Sequence, residues 1–202
     1  MCLRGLVIAF LLLSSCQAGY GLSESPSSFD SYKSMAEAAY SSGNWQKARQ
    51  LYDVCLREAN DLNAPEKTLV ALKGLASVYS QLDELKEAQP LYERALNLAK
   101  QQHGEKTAEV VGLMLDLASC YESLGDHRKA EPLYERVLEL NDSVNGTTTD
   151  GARLLHRVAL YYGRRNKLAQ SERLFQRALP IYESNSSAGG DEAAACKRDF
   201  TD

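Results

Sequence analysis

One nine-residue pattern occurs four times in this chain, and it restricts the possible folds more than any other feature. Ala88-Gln89-Pro90-Leu91-Tyr92-Glu93-Arg94-Ala95-Leu96 recurs as Ala130-Glu131-Pro132-Leu133-Tyr134-Glu135-Arg136-Val137-Leu138. Ser171 through Leu179 is a looser copy, and Ala48 through Leu56 fits the same frame. A second landmark, Ala36, Ala76, Ala118 and Ala159, precedes each copy by twelve residues, and both landmarks repeat at spacings of 40, 42 and 41. Two markers that drift together define a true structural repeat, and a repeat of this length signals a solenoid of supersecondary units.

Each unit divides into two amphipathic helices. In the third, Val110, Val111, Met114, Leu117, Ala118 and Tyr121 recur at steps of one helical turn. Leu124-Gly125-Asp126 interrupts that stripe: glycine suits a left-handed turn, and Asp126 is a predicted N-cap. Ala130, Leu133, Tyr134, Val137 and Leu138 form the second stripe. The paired alanines let two helix backbones approach closely, with tyrosines filling the space beside them. The spacing predicts helices over 29–42, 45–60, 66–82, 85–102, 108–124, 127–141, 150–164 and 167–183. Pro65 suits a first helical turn, and Thr149-Asp150 supplies cap chemistry for the seventh helix.

These residues resemble the tetratricopeptide repeat (TPR), in the longer form of about 42 residues found in kinesin light chains. The resemblance rests on Ala76, Tyr79, Ala88, Tyr92, Ala95 and their counterparts. It implies an all-α fold, a right-handed α-solenoid of about four helix-turn-helix repeats over 29–183, divided near 29–62, 66–104, 108–146 and 150–183. Repeats 1 and 4 depart most, with Ala39 for a tyrosine, Cys55 for an alanine and Ser171 for an alanine, as terminal units of a solenoid do.

The family resemblance also implies a function: the first helix of each pair lines a concave groove that holds a segment of a partner protein. At those positions stand Lys33, Glu37 and Tyr40; Lys73, Ser77 and Ser80; Leu115, Ser119 and Glu122; and Arg153, His156, Arg157, Leu160 and Arg164. The groove candidates are Lys33, Lys73, Ser77, Ser119, Glu122, Arg153, His156, Arg157 and Arg164. With Arg165 and Lys167, the last group is the densest positive cluster in a chain of net charge −4. It is either a receptor for an acidic segment or free carboxylate, for which arginine is suited, or a solvated terminal face. The carboxylate clamp of chaperone-binding TPRs is not carried over, because Glu37 and Gly74 stand where asparagine is needed.

The N-terminus reads as an address. Arg4 precedes the apolar run Leu6–Leu13, which at 1.5 Å per residue spans about 12 Å, too short for a bilayer core of about 30 Å. A positive start, short apolar run and small residues make residues 1–15 a predicted signal peptide. Leu13-Ser14-Ser15-Cys16 resembles a bacterial lipobox, which implies lipid attachment at Cys16 and, with Gln17 following, an outer-membrane address. Cleavage after Ala18, giving a periplasmic or secreted protein, is the alternative. Residues 16–28 read as a flexible tether.

With the signal and the acylated Cys16 set aside, three of the five cysteines remain, Cys55, Cys120 and Cys196. An odd count without a CxxC pair indicates neither a disulfide framework nor a metal site. His103 and His127 read as capping or surface residues, and no nucleophile, phosphate-loop or cofactor motif occurs. The expected protein is therefore a non-enzymatic scaffold without cofactor or metal, and the net acidic charge argues against nucleic acid. An envelope, secretion or pilus-assembly role is the narrower expectation; an untethered co-chaperone or structural oligomer is the alternative. Asn141, Asn145 and Asn185 begin N-x-[ST] triplets, relevant only in a eukaryotic source. Residues 184–202 read as a flexible tail with a short helix at 191–198, too small to cover Leu174, Leu179 and Ile181, which points to docking or self-association through that end.

Overall fold

The computed structural model describes residues 28–201, with the backbone only at 186–190 and 201. The signal peptide, Cys16 and nearly all of the tether lie outside the described residues. The elements are α1 (Ser28–Ser41), α2 (Trp45–Asp61), α3 (Pro65–Gln81), α4 (Leu85–His103), α5 (Ala108–Ser123), α6 (His127–Val144), α7 (Thr149–Arg164), α8 (Leu168–Ser184) and α9 (Ser186–Thr201). They form a right-handed α-solenoid of four helical hairpins with α9 laid over the last. The most extensive contacts join consecutive helices, with smaller ones such as α1 with α3 and α7 with α9. Such nearest-neighbour packing is the mark of a repeat array.

The two sequence landmarks are the points of closest approach. Ala36, Ala76, Ala118 and Ala159 are fully buried, as are Ala48, Ala88 and Ala130. Where Ser171 replaces the alanine, its Oγ donates to the Ala159 carbonyl at 2.8 Å, so the hydroxyl enters the seam satisfied. Each hairpin turns at an equivalent residue of positive φ: Gly43 (74°), Asp83 (60°), Gly125 (77°) and Asn166 (57°). The following N–H returns to the helix below: Asn44 to Ala39 O, Glu84 to Tyr79 O, Asp126 to Tyr121 O and Lys167 to Tyr162 O. These bonds close each first helix in a Schellman-type turn.

Caps fix the remaining boundaries. Asn44 and Asp126 accept from the backbone N–H groups of Lys47 and Lys129. Thr148, rather than Thr149 or Asp150, caps α7 by accepting from Gly151 N, so that helix begins one residue earlier than expected. α6 runs on to Val144, beyond the expected end at 141. Asn141 and Asn145 are buried and hydrogen-bonded to each other, so neither presents an amide for glycosylation.

The tail corrects the sequence reading. Ser186–Thr201 is one 16-residue helix, not a flexible break with a short helix at 191–198. Gly189 and Gly190 each cost about 1 kcal/mol of helix propensity relative to alanine; tertiary packing overrides it. Cys196 is fully buried, Phe200 lies 5.7 Å from Phe175, and Lys197 pairs with Glu183 at 2.8 Å. Leu174 is buried, and Leu179 and Ile181 pack partly buried against the core. The bare apolar end that suggested self-association there is a covered one. Cys55, Cys120 and Cys196 are buried free thiols, and burial pushes Cys55 and Cys196 up to about 11.

Candidate functional site

The first helices of successive hairpins lie side by side and leave a groove along their common face. A cavity of about 310 Å³ follows it, lined from α1 to α7 by Tyr40, Ser77, Ser80, Gln81, Tyr92, Asp116, Ser119, Ser123 and Arg157 among others. Half of the lining residues carry hydroxyls, which present donors and acceptors to an extended chain beside the charged Asp83, Asp116 and Arg157. Tyr40 comes from α1, while Tyr92 and Tyr134 come from the second helices α4 and α6 and reach through to the groove. Tyr92 lies 3.3 Å from the Ser80 hydroxyl, and Tyr134 lies 3.2 Å from that of Ser119.

Between repeats 3 and 4 these contacts extend into a network. Tyr134 donates to Glu122 at 2.7 Å, and Arg164 Nε donates to the same carboxylate at 2.8 Å. Arg157 bridges Asp116 at 3.0 Å and the Ser119 hydroxyl at 2.9 Å. Burial chiefly, and the neighbouring Glu122 carboxylate as well, push the Tyr134 phenol upward, so it remains a donor. Side chains locked this way hold the groove wall rigid, which lowers the ordering cost of binding.

The network changes the meaning of the basic cluster. Arg153 pairs with Asp150 at 2.8 Å and with Glu192 of α9 at 2.7 Å. His156 pairs with Asp199 of α9 at 2.9 Å, its ring against Phe175 and Tyr182. Lys167 pairs with Glu131. The cluster is therefore not an open field of positive charge. Arg153 and His156 clasp the C-terminal helix, while Arg157 and Arg164 brace the wall between hairpins. Apart from Asp150, its carboxylate partners come from the preceding repeat or from α9, where sequence proximity could not reveal them.

The structure gathers Ser77, Ser119 and Arg157 around the central cavity, with Glu122 and Arg164 adjoining. Lys73 leans to α5 instead, where its Nζ lies 2.6 Å from Glu109. Lys33 pairs with Glu37 along α1 at 3.1 Å. Asp116, Ser123 and Gln81 were missed as groove residues. The repeat offset of 41 or 42 carries that signal, since Asp116 and Ser123 match Arg157 and Arg164, and Gln81 matches Ser123. At Gly74, the same offset from Asp116, an added Cβ would lie 2.2 Å from Tyr52 Cε1. The Tyr52 ring occupies the place of a groove side chain in repeat 2, which explains the glycine.

The tetratricopeptide repeat family profile matches residues 27–101 and 109–184. No curated protein matches the chain. Among solved structures, BtubC (BKLC) from P. vanneervenii superposes with a TM-score of 0.74 at 20% identity, over 84% of this chain and 68% of that one. A kinesin light chain protein with nearly identical TPR-like repeats from Podosopora anserina gives 0.71 at 18% identity, over 87% and 84%. The TPR domain of Arabidopsis FLU gives 0.53 at 20%, over 57% and 95%.

Proposed function

The chain belongs to the tetratricopeptide repeat family, and on that premise we propose that it is a non-enzymatic scaffold that holds an extended segment of a partner protein in its concave groove. The observation that carries this reading is the hydroxyl-lined cavity crossing α3, α5 and α7. Ser77 and Ser119 face the segment, while Glu122, Arg157 and Arg164 keep the wall in shape. Recognition then rests on main-chain hydrogen bonds and the depth of the groove, with no bond made or broken. An acidic partner can engage Arg157 or Arg164 only by displacing Asp116 or Glu122. The decisive experiment places a photo-crosslinking residue at Ser119 and, as control, at Asn97 on α4. Partner adducts from Ser119, abolished by Ser77→Arg, support the groove; adducts from Asn97 that Ser77→Arg leaves unchanged overturn it.

The proposal extends to location. Residues 1–15 serve as the signal, Cys16 carries the lipid, and 16–27 tether the solenoid to the outer membrane, where a scaffold would serve envelope, secretion or pilus assembly. Several acyl chains on one residue, at about 0.8 kcal/mol per buried CH₂, anchor a chain that has no spanning helix among its described residues. Intact-mass measurement of the mature protein decides: an acylated N-terminal Cys16 supports the anchor, and a chain beginning at Gly19 removes it.

A further inference from the structure

The turn of repeat 4 differs in charge from those of repeats 2 and 3. Residues 80–84 read Ser-Gln-Leu-Asp-Glu and 122–126 read Glu-Ser-Leu-Gly-Asp, but 163–167 read Gly-Arg-Arg-Asn-Lys. Leu82 and Leu124 pack partly buried against the core, and Arg165 stands in their place, exposed. Asn44 and Asp126 cap their helices, Glu84 and Lys167 give α4 and α8 no side-chain cap, and of these four residues Lys167 alone adds a cation at the helix N-terminus. A lost cap costs about 1 kcal/mol, and a cation there opposes the helix dipole. A turn that sets a cation against the helix dipole, and an exposed arginine where repeats 2 and 3 place a packed leucine, marks itself as a place of function.

A second cavity, of about 470 Å³, opens beside this turn, lined by Ser119, Glu122, Ser123, His127, Arg164 and Arg165. It shares Ser119 and Ser123 with the central groove cavity, so the two are continuous. Glu122 is engaged by Arg164 and Tyr134. The Arg165 backbone N–H closes α7 on the Tyr161 carbonyl, and its guanidinium makes no hydrogen bond or ion pair among the described residues. His127 Nδ1 is buried there with no hydrogen-bond partner. Two guanidiniums thus face one carboxylate, leaving one positive charge unspent. That balance suits a monoanion, and Glu122 would repel a doubly charged phosphate.

We propose that this cavity is a carboxylate subsite: Arg165 pairs with a carboxylate of the segment lying in the groove, and His127 and Ser123 line its seat. The inference rests on the groove reading and gives the segment a direction, with its carboxylate at the repeat 4 end. Arg165, which no groove position nominated, carries the recognition, and the paired Arg157 and Arg164 support the wall around it.

The test uses sodium acetate first, titrated against chloride at constant ionic strength while the Arg165 Nε–H and His127 ring resonances are followed. Both shift with saturation in the native protein, and neither the His127 shift nor the saturation appears in Arg165→Leu or Arg165→Gln. Arg165→Leu restores the leucine of repeats 2 and 3, so the loss comes without unfolding. Three labelled octapeptides follow: (Gly-Ser)₄ with a free C-terminus, the same amidated, and an amidated version with a central Glu. The free acid or the Glu peptide binds at least fivefold tighter than the plain amide, which tells a terminal from a side-chain carboxylate, and Arg165→Leu removes the difference. Resonances unmoved by acetate, equal behaviour of all three peptides, or a preference that survives Arg165→Leu overturns the subsite. If that happens while Ser77→Arg still blocks partner crosslinking, the groove stands and only the carboxylate seat falls.

Discussion

Adding one methyl group at Gly74 sets two opposing effects against each other in a way the structure resolves. Alanine is favoured over glycine inside a helix by about 1 kcal/mol, and Gly74 lies in the middle of α3. The new Cβ, however, would lie 2.2, 2.3 and 2.6 Å from Cε1, Cζ and Cδ1 of Tyr52. That ring is buried, held in a cluster with Ala36, Ala48, Leu75 and Val78, and so has no free volume into which to rotate. Forcing a methyl group into such a seam costs about 1–3 kcal/mol, so after the propensity gain Gly74→Ala is destabilising by up to about 2 kcal/mol. For a domain of this size that is a fall of up to about 8 °C in Tm. The sign reverses when the ring is removed: in a Tyr52→Ala background, which is itself less stable, Gly74→Ala raises stability by the propensity gain alone, about 1 kcal/mol. Urea unfolding of the four proteins in the cycle, followed by circular dichroism, measures both values. A Gly74→Ala variant more stable than the native protein would refute the packing argument.

Three further outcomes follow from the same geometry. Gln102 places both amide atoms in buried surroundings without a hydrogen-bond partner among the described residues, at the repeat position of Leu62 and Val144; Gln102→Leu should raise stability by about 1–2 kcal/mol, and a lowered urea midpoint would contradict this. Burial first, with nearby acids, pushes the phenols of Tyr52, Tyr162 and Tyr182 up to about 12. A raised folded-state pKa means that their contribution is complete below the unfolded value of about 10 and is lost as pH rises from there through 12. Alkaline titration should therefore show unfolding and tyrosinate absorbance rising together in that window, whereas free ionisation near pH 10 with the helices intact would reject the burial. Truncation after Asn185 removes the Phe200 ring packed beside Phe175, the buried Cys196 and the α9 partners of Arg153 and His156; the shortened chain should melt several degrees lower and bind a hydrophobic dye, and an unchanged melt would show that α9 contributes nothing to the core.

The sequence determined the helices, their pairing and their close contacts. Hydrophobic period and small-residue spacing are local quantities, and in a solenoid each helix packs on the neighbours that the chain itself supplies. The left-handed turn residues Gly43, Asp83, Gly125 and Asn166 share the repeat spacing for the same reason, and the serines that line the groove were legible from it. What the sequence left open was the state of each charge. Arg157 meets Asp116, Arg164 meets Glu122 and Lys167 meets Glu131 only because stacking brings residues some 36–42 positions apart into contact. Arg153 and His156 find their acids on a ninth helix whose own glycines argue against it, and which forms because it buries Cys196 and Phe175. A run of arginines therefore reads alike in sequence whether its charges are neutralised or available, and only the tertiary arrangement separated Arg165 from the rest.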